Sequence, residues 1–311
     1  MPAFFFVTKL IAILCFSGIA LATGVTSAPA SDWPRMLLLD GAIAGNDIVV
    51  VGERSSILRS TDAGKTWQPA TAPSSATLTG VTFAPGAAHG WAVGHDALIL
   101  ATTDAGVTWQ KQWQGENLQD SFLDVLALDA QHIVAIGAYG LFVATQDGGR
   151  TWLRRKIIDE DFHLNRITRG TGGDLYIAGE HGTLLHSGDQ GATWDRLDSP
   201  YDGSFYGILP IDGNALIAYG LRGQVYRSSN QGQTWTLISN EQKVLIATAV
   251  KLSNGAIVFA GQSRSGAISR DAGATTVPWN PGAAAIAELI ELPDHDLLAL
   301  GESGATRLPK P

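Results

Sequence analysis

The chain has 311 residues, 45% hydrophobic and 16% charged, a balance that excludes disorder and supplies enough apolar material for a large core. Glycine is abundant at 36 residues beside 9 Trp and 10 Phe, and this mix of turn formers and large rings favours many short strands over an all-helical fold. Only Lys9 of the 21 Lys+Arg lies in the first 30 residues, so the remainder carries 29 acidic groups against fewer basic ones, which disfavours a nucleic-acid partner because phosphate binding needs a positive field.

Residues 4–22 form an apolar run broken only by Thr8-Lys9 and Ser17, with Lys9 as the positive charge ahead of the apolar core. This reads as a secretory signal peptide over residues 1–30, cleaved after Ala30 or, alternatively, after Ala22. An uncleaved membrane anchor is the competing reading, but Lys9 leaves only residues 10–22 strongly apolar, short for a span. Cys15 is the only cysteine and follows Leu14 where a lipidation signal wants a small residue. The exported chain, expected in the periplasm or secreted, then has no disulfide to rely on.

Residues 31–311 read as one domain built from a repeat. An apolar residue followed by Gly recurs at Val51-Gly52, Val93-Gly94, Ile136-Gly137, Ala178-Gly179, Tyr219-Gly220, Ala260-Gly261 and Leu300-Gly301, at spacings of 42, 43, 42, 41, 41 and 40. A second motif rides on the first, from Ser60-Thr61-Asp62-Ala63-Gly64-Lys65-Thr66-Trp67 onward. Its polar residue is Asp62, Asp104, Asp147, Asp189, Asn230 and, in a degenerate sixth copy, Asp271. In the first five copies a Trp, namely Trp67, Trp109, Trp152, Trp194 or Trp235, falls 15 residues after the motif glycine. In the sixth, Trp279 is displaced. This is the Asp-box repeat: the Asp accepts N–H groups of a tight turn, the Gly takes a left-handed conformation, the Thr restarts a strand and the Trp packs between layers.

Within the third unit, residues 122–128, 132–137, 141–145 and 151–155 each show strand-like alternation or short apolar runs. Four short strands per repeat of about 42 residues is the unit of a propeller blade, and seven copies predict an all-β, seven-bladed β-propeller. The seventh unit stops before any Asp-box. The segment Ser31-Asp32-Trp33-Pro34-Arg35 is expected to supply its outer strand, with Trp33 in the missing ring position, closing the propeller as a monomer without a long exposed edge.

The copies of G-x-x-G-x-(I/L/V/F) followed by S/T-x-D-x-G-x-T-W resemble the photosystem II assembly and stability factor family. The resemblance implies a seven-bladed Asp-box propeller, exported across a membrane, that acts without catalysis on a membrane complex and binds a precursor subunit through an arginine-rich surface. Sialidases also carry Asp-boxes and supply the enzyme alternative, a glycoside hydrolase or a carbohydrate-binding propeller. They need three arginines, a Tyr-Glu pair and an Asp at the propeller centre.

In a propeller the loops joining second to third strands share one face with the blade-to-blade loops, away from the Asp-boxes. That face is the expected binding surface, with Arg54, His95, Tyr139, Glu180, His181, Arg222 and Arg264 as candidates, joined by the acidic run Asp159-Glu160-Asp161 and a Tyr201 read as exposed. Such a mixture suits a polypeptide better than an apolar small molecule. No cofactor, nucleotide or metal is expected: Gly64-Lys65-Thr66 lacks the first glycine of a phosphate loop, Arg59 standing in its place, and one carboxylate per Asp-box is too few for calcium.

Overall fold

The computed structural model describes residues 36–311 except 87 and 242. The described residues form seven antiparallel sheets, six of four strands and one of three, each running in sequence order from the central axis outward. They are the seven blades of a β-propeller. Blade 1 comprises Leu38–Ala44, Asp47–Gly52, Ile57–Ser60 and Gln68–Pro69. The innermost strands of the next six are Leu78–Phe83, Phe122–Ala127, Leu164–Arg169, Phe205–Pro210, Ile246–Lys251 and Ile286–Glu291. Blade 7 ends at its third strand, Gly304–Leu308. The expected closing segment at residues 31–35, Trp33 included, and the signal-peptide reading lie outside the described residues.

The core lies between blades. Each second strand is buried along nearly its whole length, as in Leu175–Gly179 and Leu297–Gly301, because both of its faces meet a neighbouring blade. Leu38, Ile48, Val50 and Leu58 of blade 1 pack against Ile290, Leu292, Leu298 and Leu300 of blade 7, so apolar contact closes the ring. The recurring motif glycine has a steric cause: a Cβ at Gly52 would lie 2.1 Å from the Leu37 carbonyl, and at Gly94 2.0 Å from that of Thr77. The innermost strand passes too close for any side chain there.

Every Asp-box is formed, including the sixth. In the first, Thr66 N–H donates to Asp62 Oδ1 at 2.8 Å, Thr66 Oγ1 donates to Asp62 Oδ2 at 2.6 Å, and the buried Ser60 hydroxyl accepts Gly64 N–H at 2.8 Å. Asp271 makes the same bonds to Thr275 at 2.9 and 2.6 Å. Only the ring is missing, since Trp279 pairs with Gly266 at the far end of its strand. The box glycines press on the preceding blade: a Cβ at Gly106 would meet Val49 at 2.8 Å, and one at Gly232 would meet Leu197 at 2.7 Å.

Candidate functional site

The first residue of each innermost strand pairs with the motif glycine, as Leu38 with Gly52 and Leu164 with Gly179. The turn that follows each motif glycine therefore opens on the face where the innermost strands begin. The Asp-boxes lie at the other end. In six of the seven turns a non-glycine residue holds a left-handed conformation at the tip: Arg54, Asp96, Tyr139, His181, Arg222 and Ser263, with φ between 49° and 61°. Arg264 follows in the same conformation. Each such residue costs on the order of 1 kcal/mol relative to glycine, and the strain aims a full-sized side chain off the face.

The candidates divide by position around the ring. Arg54, Arg222 and Arg264 are exposed on blades 1, 5 and 6, and none of them forms an ion pair among the described residues. Blades 3 and 4 bring Tyr139, Glu180 and His181 together with the loop that links them. Tyr139, 67% exposed, meets the His163 ring edge-on at 4.9 Å, while His181 stacks on Phe162 at 4.5 Å. Glu180 accepts the His163 backbone N–H at 3.0 Å and lies 3.5 Å from its ring. His95 is exposed on blade 2 and joins neither group. Tyr201, read as exposed, is instead half-buried, because its ring packs on Phe205 and Tyr226. The exposed tyrosine in that region is Tyr206. In the linking loop, Glu160 pairs with Arg196 at 3.2 Å and Asp159 with Lys156 at 3.3 Å.

At the centre of this face the channel is stopped by charge. A β-bulge at the start of each innermost strand turns Asp40, Gly80, Asp124, Arg166, Gly207, Thr248 and Glu288 into one ring. Arg166 hydrogen-bonds Glu288 across the channel and lies 3.9 Å from Asp124 and 4.0 Å from Asp40. The carboxylates also cap backbone that the bulges leave free: Asp40 accepts Val81 N–H at 2.7 Å and Asp124 accepts Ile167 N–H at 2.8 Å. Thr248 donates to Glu288 at 2.9 Å. Burial holds Asp40 well above the usual carboxylate range, with Glu288 adding to the effect, and burial lifts Asp124 to about 6 against the pull of Arg166. Burial opposes the charge on Arg166, but Glu288 and Asp124 outweigh it and its pKa is raised. Above this ring is a cavity of about 230 Å³ lined by Leu39, Thr79, Asn165 and Tyr206 among others.

The channel ring escaped the sequence reading, although the signal was present. In five of the seven repeats the ring residue stands 13 positions before the motif glycine, as Asp124 does before Gly137.

The family model described as photosynthesis system II assembly factor YCF48 matches residues 37–113 and 110–282. The chain belongs to this family. Its fold is shared with a structure entitled "YCF48 bound to D1 peptide", at a TM-score of 0.74 and 19% identity over 89% of this chain and 94% of that one. YCF48 from Cyanidioschyzon merolae superposes at 0.72 with 17% identity, over 89% and 97% of the two chains. The WD40 propeller domain of Doa1 follows at 0.70 with 11% identity, over 88% and 92%, so the architecture extends beyond the YCF48 family. No curated protein sequence matches. The turn tips and the channel mouth occupy one face, and the Asp-boxes occupy the other.

Proposed function

We propose that this protein is a non-enzymatic assembly or stability factor that binds a polypeptide segment of a membrane complex on its turn-tip face, outside the cytoplasm. The observation that carries the reading is the set of strained tips bearing Arg54, Arg222 and Arg264 without ion-pair partners among the described residues. Guanidinium groups left free on a rigid rim suit the carboxylates and carbonyls of an extended chain. Membership of the YCF48 family supports a partner of this kind. The glycosidase alternative is weakened by the channel ring, which holds one arginine, Arg166, already occupied by Glu288.

The test is recovery of a partner from native membranes with the wild-type protein and with a variant carrying Arg54→Glu, Arg222→Glu and Arg264→Glu, with cross-links mapped by mass spectrometry. Cross-links from a membrane protein to the turn-tip face, lost in the variant, are the expected result. Equal recovery by both proteins, or cross-links confined to the Asp-box face, would overturn it. Cell fractionation checks the location separately.

A further inference from the structure

The three carboxylates of the channel ring are buried alike, Asp40 and Asp124 at 6% exposure and Glu288 at 9%, but they are not satisfied alike. Glu288 accepts Thr248 Oγ1–H at 2.9 Å and Leu289 N–H at 3.1 Å on one oxygen and hydrogen-bonds Arg166 with the other. Asp124 accepts Val125 N–H on Oδ1 and Ile167 N–H on Oδ2, both at 2.8 Å. Asp40 uses only Oδ2, which accepts Val81 N–H at 2.7 Å. Its Oδ1 has no hydrogen-bond donor among the described residues. Arg166 Nη1 stands 4.0 Å from it, beyond hydrogen-bond distance, because that guanidinium is drawn to Glu288. A buried carboxylate oxygen without a donor is costly to maintain.

Asp40 lines the cavity of about 230 Å³ at the channel mouth, together with Asp124 and Arg166. Leu39, Leu123, Ala247 and Ala287 supply apolar wall, and Tyr206 is exposed there. The ring position between Asp40 and Asp124 is Gly80, which sets no side chain between them. Apolar walls above a floor where three carboxylates face one guanidinium match a methylene stem that ends in a cation. The surrounding rim has the opposite sign, in Arg54, Arg222 and Arg264. We propose that the channel mouth takes a lysine side chain of the docked polypeptide, its ammonium donating to Asp40 Oδ1 and its methylenes lying against Leu39, Leu123 and Ala287. A compact ammonium suits one free oxygen, whereas the fork of an arginine asks for two parallel acceptors. The proposal rests on the reading of the turn-tip face as a polypeptide site and specifies the polypeptide: a lysine between acidic residues, the acids meeting the rim arginines.

The test titrates n-butylammonium, the stem and cation of lysine, into the full-length protein at pH 7.5. The Val81 amide resonance reports it, since that N–H donates to the other oxygen of Asp40. The neutral and anionic probes with the same four-carbon stem are n-butanol and pentanoate. The expected result is a saturable shift with a Kd of about 10 mM or tighter, within the reach of so small a ligand, and no saturation with n-butanol. Asp40→Asn weakens binding at least about 10-fold. Binding is also weaker at pH 5, where burial and Glu288 keep Asp40 protonated against the pull of Arg166 and Asp124 takes a proton as well, Tyr219 being neutral throughout. An equal response to n-butanol, tighter binding of pentanoate, no saturation, or an unaltered Kd in Asp40→Asn overturns the proposal. Should Asp40→Asn not fold, Ala287→Leu fills the wall and leaves the ring intact, and an unaltered Kd there overturns it equally. Amine binding with no membrane partner recovered overturns the polypeptide reading and leaves the amine site supported; a partner held through the turn tips with no amine binding overturns the site and leaves that reading supported.

Discussion

A single carboxylate in five of the six Asp-boxes does the work of several backbone partners. Asp104 accepts Thr108 N–H at 2.9 Å and Thr108 Oγ1–H at 2.6 Å while the Thr102 hydroxyl donates to it at 2.7 Å. Replacing it by alanine leaves these donors to water, and Asp104→Ala is expected to cost about 1 kcal/mol, the usual value for a lost side-chain cap. Urea denaturation measures this, and a loss below a few tenths would show that the turn is held by its glycine alone. The same bonds set the acid limit of stability. Asp62, Asp147, Asp189 and Asp271 are held at about 2, chiefly by the threonine that follows each. Their contribution is present above the ordinary carboxylate pKa and is lost as pH falls from about 4 toward 2. Asn230 is exempt, because its Oδ1 accepts Thr234 N–H at 2.9 Å and its amide donates to Thr234 Oγ1 at 3.0 Å without a charge to titrate.

At the scale of the strand, the innermost ring position of blade 5 is matched in size to its partner on the second strand. Gly207 pairs with Tyr219, and a Cβ there would lie 2.1 Å from the tyrosine hydroxyl. Gly207→Ala is expected to destabilise the fold by about 1–3 kcal/mol, as overpacking does. Adding Tyr219→Val, the residue type of Val51 and Val93 at the same repeat position, should return part of that loss; a double-mutant cycle in urea checks the coupling, and strictly additive losses would refute it. Such pairings explain what was legible beforehand. The blades could be read because Val51-Gly52 and its six counterparts repeat at nearly constant spacing, and the spacing follows from steric necessity at each glycine. The intact sixth box looked degenerate only because Trp279 had moved; the bonds that define it come from Ser269, Asp271 and Thr275. Tyr201 misled because its loop position says exposed, while its burial comes from Tyr226 on a strand of another repeat. The channel ring was hidden for a similar reason: Arg166 and Glu288 are 122 residues apart and meet only when the ring closes.

Closure therefore brings an electrostatic consequence that no single blade carries. Among the described residues Arg166 is the one cation facing Asp40, Asp124 and Glu288, with Tyr219, pushed up to about 12 by burial, and Thr248 as the neutral neighbours. Burial makes Asp40 and Asp124 hold their protons to higher pH than free carboxyls, so in mildly acidic solution part of the negative charge around Arg166 is cancelled by bound protons. A carboxyl that holds its proton more tightly folded than unfolded loses its stabilising contribution as pH rises. At pH below about 4 both states are protonated, and between 4 and 6 the unfolded chain ionises Asp124 while the folded chain does not. Asp40, held well above the usual carboxylate range by the same burial, adds to this loss as pH rises. Together with the Asp-box carboxylates, which fail below 4, this places the stability maximum in mildly acidic solution. Arg166→Met removes the guanidinium that compensates these carboxylates and is expected to cost about 3 kcal/mol at pH 7.5, the lower end for a broken buried pair because a quarter of the Arg166 side chain still reaches solvent. At pH 5, where Asp40 and Asp124 accept protons readily, the cost should shrink to less than half. Urea midpoints of both proteins at the two pH values decide the matter, and an equal loss at both would mean that Arg166 acts through packing of its methylene stem rather than through its charge.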